Sequence, residues 1–273
     1  MTDPIYNNLI YIDDTFEVCW GIADKNVTEI TLHENCKAID AQTFNNLENL
    51  EKVVLNKNLQ HIYYGAFKNC KKLKDINLED TKVEEISVNA FSGCTSLEKV
   101  SFPNTLEYLE MGSFAGCNLK EVDLSNTKIL TISLKVFENN KNLYKVLLPD
   151  NLRTINHAAF SGCTNLQDID LKNVKTFYFS SIINTKIRKL TLPPFIEKVV
   201  ITPGHVPELN EIFFTNPPIL YEINSIKAKD FSAFLKHYYK NALILTNDLD
   251  SYLKLNKSFK EINNLYKEKD KER

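Results

Sequence analysis

Glycine is scarce, with 7 residues in 273, and none of them forms a GxGxxG or GxxxxGK run. Phosphate-cradling loops of those two kinds are therefore not expected. No window approaches the roughly 18 apolar residues of a membrane-spanning helix, so no membrane insertion is expected. The start, MTDPIYNNLIYIDD, has no basic region and no long apolar run, so no signal peptide is expected either. No charge of one sign dominates: 33 Lys and Arg against 35 Asp and Glu leave a net charge of −2, which gives no reason to expect nucleic acid as a partner. The five histidines, His33, His61, His157, His205 and His237, share no spacing of the HExxH kind, and no serine sits in a GxSxG elbow. They read as surface or turn residues, and no enzyme, cofactor, metal or small-molecule substrate is expected. NVT at Asn26 and NKS at Asn256 fit the glycosylation pattern but carry little without a secretion signal. The chain is long enough for one large core or two domains.

What the sequence does have is repetition, and internal repeats decide a fold before anything else does. NAFSGCTSLEKVSFP at 89–103 returns almost unchanged as HAAFSGCTNLQDIDL at 157–171. Aligning on the phenylalanine gives Phe44, Phe67, Phe91, Phe114, Phe137 and Phe160, at intervals of 23, 24, 23, 23 and 23; Ile182 follows 22 further on. Five residues before each stands Ile39, Ile62, Ile86, Leu109, Ile132, Ile155 or Phe177. After each comes L-x-x-I-x-L, as in Leu73, Ile76, Leu78, with a turn-forming residue such as Asp80 or Asn126 two positions beyond. The alternating I-x-L places its apolar residues on one face of a strand. A coil of this length cannot bury that face alone, so stacking of coils is required, and the pattern reads as a leucine-rich solenoid. Nine such rungs at ~4.8 Å each predict a parallel sheet about 40 Å long.

The phrase I-x-x-x-A-F-x-G-C-x-x-L-x-x-I-x-L-P closely resembles the BspA-like leucine-rich repeats, over roughly 27–214. VFENN at 136–140 departs from it, lacking both glycine and cysteine; SSIINTKI at 180–187 lacks the phenylalanine; and Gly204 stands where the eighth would be. The resemblance implies surface adhesion or protein binding. The expected absence of a signal peptide favours a cytoplasmic scaffold, with a surface adhesin or a structural subunit of a larger assembly as alternatives.

Cys70, Cys94, Cys117 and Cys163 each lie three residues after the repeat phenylalanine, where other coils have Leu47 and Asn140. Ligands of a structural zinc are clustered at C-x₂₋₄-C spacing, whereas these are separated by 24, 23 and 46 residues. The column therefore reads as small buried groups, free thiols that hold up a coil.

The residue before each central strand aliphatic should face solvent. Coil by coil it is Glu29, Lys52, Asp75, Lys99, Glu121, Lys145, Asp168, Lys189 and Glu211, alternating in sign throughout. Stacked neighbours of opposite sign pair, and a slip by one coil brings like charges together, so the ladder is expected to fix register. Two columns further along, Leu147 and Phe213 are apolar where solvent is expected, and Asp170 shares their column. With Tyr144 and Asp168 they form the candidate partner-binding set: Tyr144, Leu147, Asp168, Asp170 and Phe213.

The predicted organisation is an N-terminal cap at 1–26, the solenoid at 27–218, and a C-terminal helical cap or docking segment at 219–273. The first cap reads as a hairpin turning near Asp13 and Asp14, with Trp20 closing the core. The last reads as two helices, 228–243 and 248–273, on the spacing of Phe231, Phe234, Leu235 and Tyr238. Convex segments are expected to be short helices or irregular.

Overall fold

The structure is a computed structural model that describes residues 5–202, 207–214, 220–223, 226–227, 235 and 243–246. Over these the chain winds as an end-to-end stack of coils, a parallel β-solenoid. Each coil runs from a short strand ending in the column isoleucine, through the phenylalanine turn, to the L-x-x-I-x-L segment. The isoleucine strands make the longest sheet, of 13 strands. In it Ile39 lies opposite Ile62, Ile62 opposite Ile86, Ile132 opposite Ile155 and Ile155 opposite Phe177. All six side chains are fully buried, as the sequence pattern requires.

The L-x-x-I-x-L segments differ from the single sheet expected. They pair two by two: Glu29–Thr31 with Lys52–Val54, Asp75–Asn77 with Lys99–Ser101, and Glu121–Asp123 with Lys145–Leu147. Residues 168–170 form no strand, and pairing resumes with Lys189–Leu192 against Glu211–Phe214. Coil length alone does not set this: strand centres 22 residues apart pair at Leu190 and Ile212 but not at Val100 and Val122, and centres 23 apart pair at Ile30 and Val53 but not at Val53 and Ile76. The long continuous sheet is therefore the one built on the isoleucine column.

The phenylalanine turns are a third hydrogen-bonded stack rather than helices. The amide of Phe67 donates to the Ala90 carbonyl at 2.7 Å, Phe91 to Ser113 at 2.8 Å and Phe114 to Val136 at 3.0 Å. The residue two positions after each phenylalanine has positive φ: Asn46, Asn69, Gly93, Gly116, Asn139 and Gly162. This left-handed conformation suits glycine and is tolerated by asparagine. At Gly93 a Cβ would lie 2.3 Å from Asn69 Oδ1 of the coil before, so any larger residue requires that side chain to shift. Asn139 in VFENN thus does the work of the missing glycine. Beneath the turns the aromatic rings from Phe44 to Phe160 form a continuous column, with centroids 5.0 to 6.0 Å apart.

The cysteine column is buried and unbridged, and each thiol also has a task that sequence alone did not reveal. Cys70, Cys94, Cys117 and Cys163 donate to the carbonyls of Phe44, Phe67, Phe91 and Phe137 in the preceding coil, each at 3.1 Å. Asn140 takes the same place and donates to the Phe114 carbonyl at 2.8 Å. Burial pushes the Cys163 thiol up to about 12. Contact with the neighbouring thiol of Cys94, then burial, raises Cys70 well above its ordinary range. Because all four are buried, their native alkylation should be slow, and labelling should become complete only on denaturation. Mass spectrometry at pH 7.5 checks this; rapid native labelling of any of the four would contradict their burial.

Both ends add antiparallel pairing. Ile5–Tyr6, Leu9–Tyr11 and Val18–Ile22 form the expected N-terminal hairpins, the second turning through Asp13 and Asp14. Trp20 does not close the core: it is 44% exposed, because strand alternation turns Cys19 inward and Trp20 out. The large side chains sealing this end are Leu9 and Tyr11, and the buried Tyr11 hydroxyl accepts from the His33 amide at 2.9 Å. At the other end the described residues of 219–273 are mostly strands rather than the expected helical cap. Leu220–Ile223 extends the long sheet, and Leu243–Thr246 pairs with Glu211–Phe214. The stretches read as helices lie outside the described residues, except Leu235, which is helical and fully buried, and Leu243–Thr246.

Candidate protein-binding face

On the L-x-x-I-x-L side each three-residue strand buries its middle residue and turns its flanking residues outward. The charge ladder lands in register: Glu29 opposite Lys52, Asp75 opposite Lys99, Glu121 opposite Lys145, and Lys189 opposite Glu211. Ion pairs form at 2.7 Å for Lys52–Glu29, 3.5 Å for Lys145–Glu121 and 3.1 Å for Lys189–Glu211. The neighbouring column adds Lys120–Glu98 at 2.6 Å and Lys74–Glu51 at 3.8 Å. All are exposed, so they serve register more than stability.

Four of the five candidate residues lie on this face and exposed: Tyr144, Leu147, Asp168 and Asp170. Tyr144 is 53% and Leu147 41% exposed, on or beside one strand, and the two aspartates follow on the next coil. The Tyr144 hydroxyl donates to the Glu121 carboxylate, which fixes the ring over the preceding coil. That bond, with Lys145 adding, holds the Glu121 carboxyl below the usual range and raises the Tyr144 phenol. Phe213 stands apart. It is three coils further on, about 14 Å at the ~4.8 Å strand spacing, and half-buried between Thr191 and Leu245 of the flanking strands.

Where neighbouring strands fail to pair, clefts open on this face. One of about 600 Å³ lies between Lys99–Ser101 and Glu121–Asp123, with Tyr144 in its wall beside Glu98, Lys120 and Asp123. A second, of about 570 Å³, lies between Lys52–Val54 and Asp75–Asn77. Among the described residues no group of three His, Cys, Asp or Glu side chains is placed to hold a metal ion, and no helix is long and apolar enough to cross a membrane.

Sequence reasoning missed the outer side of the long sheet, where Tyr63, Tyr64, Tyr108 and Met111 are 38 to 56% exposed. The signal was present: residues on either side of the column isoleucine must face outward in a strand, and that column was read only for its buried member.

A stack of 22- to 24-residue coils with this phrase in register defines a leucine-rich repeat solenoid. The family model for BspA-type leucine-rich repeat regions matches residues 22–144 and 84–202, and the chain belongs to that family. Among solved structures it is similar to a leucine-rich repeat protein from Bacteroides ovatus, at 15% identity and a TM-score of 0.59, covering 90% of this chain and 79% of that one. A leucine-rich repeat protein from Eubacterium ventriosum matches at 25% identity and a TM-score of 0.60, over 68% of this chain and half of that one. The Treponema pallidum leucine-rich repeat protein matches at 21% and 0.50, over 61% and 92%. No protein of curated function matches the chain significantly. Proteins of this class generally bind other proteins and are generally non-enzymatic, and BspA-like members are often associated with surfaces.

Proposed function

We propose that the chain is a non-enzymatic scaffold that binds another protein through its L-x-x-I-x-L face, centred on Tyr144 and Leu147. The observation that carries this reading is the exposure of an aromatic and an aliphatic side chain on and beside one strand, Lys145–Leu147, of a face whose charges are largely paired. Such side chains are the usual anchors of a protein interface. Asp168 and Asp170 would supply a polar rim, and the cleft beside Tyr144 would receive a partner side chain. Phe213, half-covered by its neighbours, would contribute more to folding than to binding. Family membership supports surface adhesion; the buried, unbridged thiols support a reducing, cytoplasmic setting.

The test measures binding and stability on the same variants. With a partner isolated from native extract, Tyr144→Ala and Leu147→Asp should each weaken binding about tenfold or more. Their stability should stay within about 1 kcal/mol of the parent, as surface changes do. Full binding by both variants would move the interface off this face.

A further inference from the structure

We propose that the outer side of the long sheet is a second docking surface, independent of the first, and that it takes an arginine-rich segment of a partner protein. Three facts converge on it. Tyr63 is 38% exposed, and two coils further on Tyr108 and Met111 are 56% and 40% exposed; nothing among the described residues covers them. Glu85 sits in register between His61 and Tyr108, so a carboxylate lies one strand spacing from the tyrosine. Glu84, Glu85 and Glu110 form no ion pair among the described residues, in contrast to the ladder on the other face, whose charges neutralise one another. The nearest pair is Lys128–Glu107 at 3.3 Å, on the flank.

Aromatic faces beside unneutralised carboxylates select the occupant by chemistry. A guanidinium stacks on a tyrosine ring and donates in parallel to a carboxylate, and both interactions strengthen as water leaves. Lysine satisfies this geometry less well, because its ammonium is more strongly hydrated and cannot donate as a planar fork. An apolar helix would leave the carboxylate charges uncompensated, Glu85 keeping only the hydrogen bond it accepts from the Ser87 hydroxyl. Nucleic acid and anionic lipid carry the wrong sign. The Tyr63 ring is already held by stacking on His61, with centroids 5.6 Å apart and planes 6° apart, so little ordering remains for binding to supply.

The test uses the full chain and fluorescent twelve-residue peptides of alternating arginine and serine, lysine and serine, or glutamate and serine, read by anisotropy. The arginine peptide should bind saturably and more tightly than the lysine peptide, and the glutamate peptide should not bind. Tyr108→Ala, and separately the triple change Glu84→Gln, Glu85→Gln, Glu110→Gln, should each weaken binding about tenfold. Glu34→Gln, Glu79→Gln, Asp80→Asn removes as much negative charge elsewhere and should change affinity less than twofold. Melting temperatures measured alongside separate lost binding from lost fold; should Tyr108→Ala fail to fold, the carboxamide triple decides. Equal weakening by the control triple would reduce the effect to net charge and overturn the proposal. So would the absence of saturable binding, or parent-like affinity in both patch variants. Leu147→Asp should leave this binding unchanged, so failure here and failure of the first face are read separately.

Discussion

Replacing Phe114 by alanine should destabilise the protein by about 3–5 kcal/mol, through lost burial and the cavity left behind. Phe114 is fully buried and stacks between Phe91 at 5.1 Å and Phe137 at 6.0 Å, with Phe102 edge-on at 5.6 Å. The ring is a link in a column that runs the length of the repeat region. Coils in a solenoid are stabilised by their neighbours, so removing one ring weakens two interfaces at once. The melting temperature should fall by roughly 10 °C, at the few degrees per kcal/mol expected for a chain of this size. Phe195→Ala is the matched control. That ring is 78% exposed and outside the column, and its loss should cost less than about 0.5 kcal/mol. Equal melting temperatures for the parent and Phe114→Ala would show that the column is not the core.

The second large effect is expected at Asn140, the residue that breaks the cysteine column. In other coils the leucine of L-x-x-I-x-L follows the cysteine by three residues and its amide closes a turn onto the cysteine carbonyl. Leu97 to Cys94 is 2.9 Å and Leu166 to Cys163 is 3.0 Å. In the Phe114 coil one residue is missing, CNL in place of CTSL, and this turn cannot close. The Leu119 amide instead donates to Asn140 Oδ1 of the next coil, at 3.1 Å. Asn140 also donates to the carbonyls of Phe114 at 2.8 Å and Phe137 at 3.0 Å. Asn140→Leu keeps the volume and strands two buried groups, the Leu119 amide and the Phe114 carbonyl, whereas the Phe137 carbonyl still accepts from Cys163 and from the amide of residue 140. At about 1–3 kcal/mol for each group left unsatisfied, a loss of roughly 3–5 kcal/mol is expected. Asn140→Cys keeps the bond to Phe114 and should cost less. Inserting a serine after Asn118, which restores the three-residue spacing, should make Asn140→Cys nearly neutral. Denaturant midpoints ordered parent, cysteine, leucine support this account; a leucine variant as stable as the parent removes it.

The repeat told most of the fold because a solenoid writes its geometry one coil at a time. Period, phenylalanine column, buried thiols and the register of Glu29, Lys52, Asp75 and Lys99 follow from local pattern, since each residue meets its counterpart one coil away. VFENN shows the limit. The missing glycine and cysteine were visible in the sequence, but not that Asn139 supplies the left-handed turn and Asn140 repairs a deletion in the coil before. That compensation joins residues about 21 apart and exists only in the stack.

The candidate face divides in the same way. Strand alternation about the buried Val146 accounts for the outward Leu147; Tyr144 shares the parity of Val146, and 168–170 form no strand, so the exposure of Tyr144, Asp168 and Asp170 comes from the shape of the coil. Alternation could not show that Leu243–Thr246, from another part of the chain, pairs beside the strand that carries Phe213. Trp20 went the other way for a related reason: composition suggested a core residue, but the register of its hairpin turned Cys19 inward. What the sequence by itself determined is the coil, because stacking identical units leaves one way to bury the repeated apolar positions. What only the tertiary structure decided is which sheet stays continuous, where the other splits into clefts, and which aromatic residues remain uncovered, because these depend on how each coil seats on its neighbours rather than on the pattern within one coil.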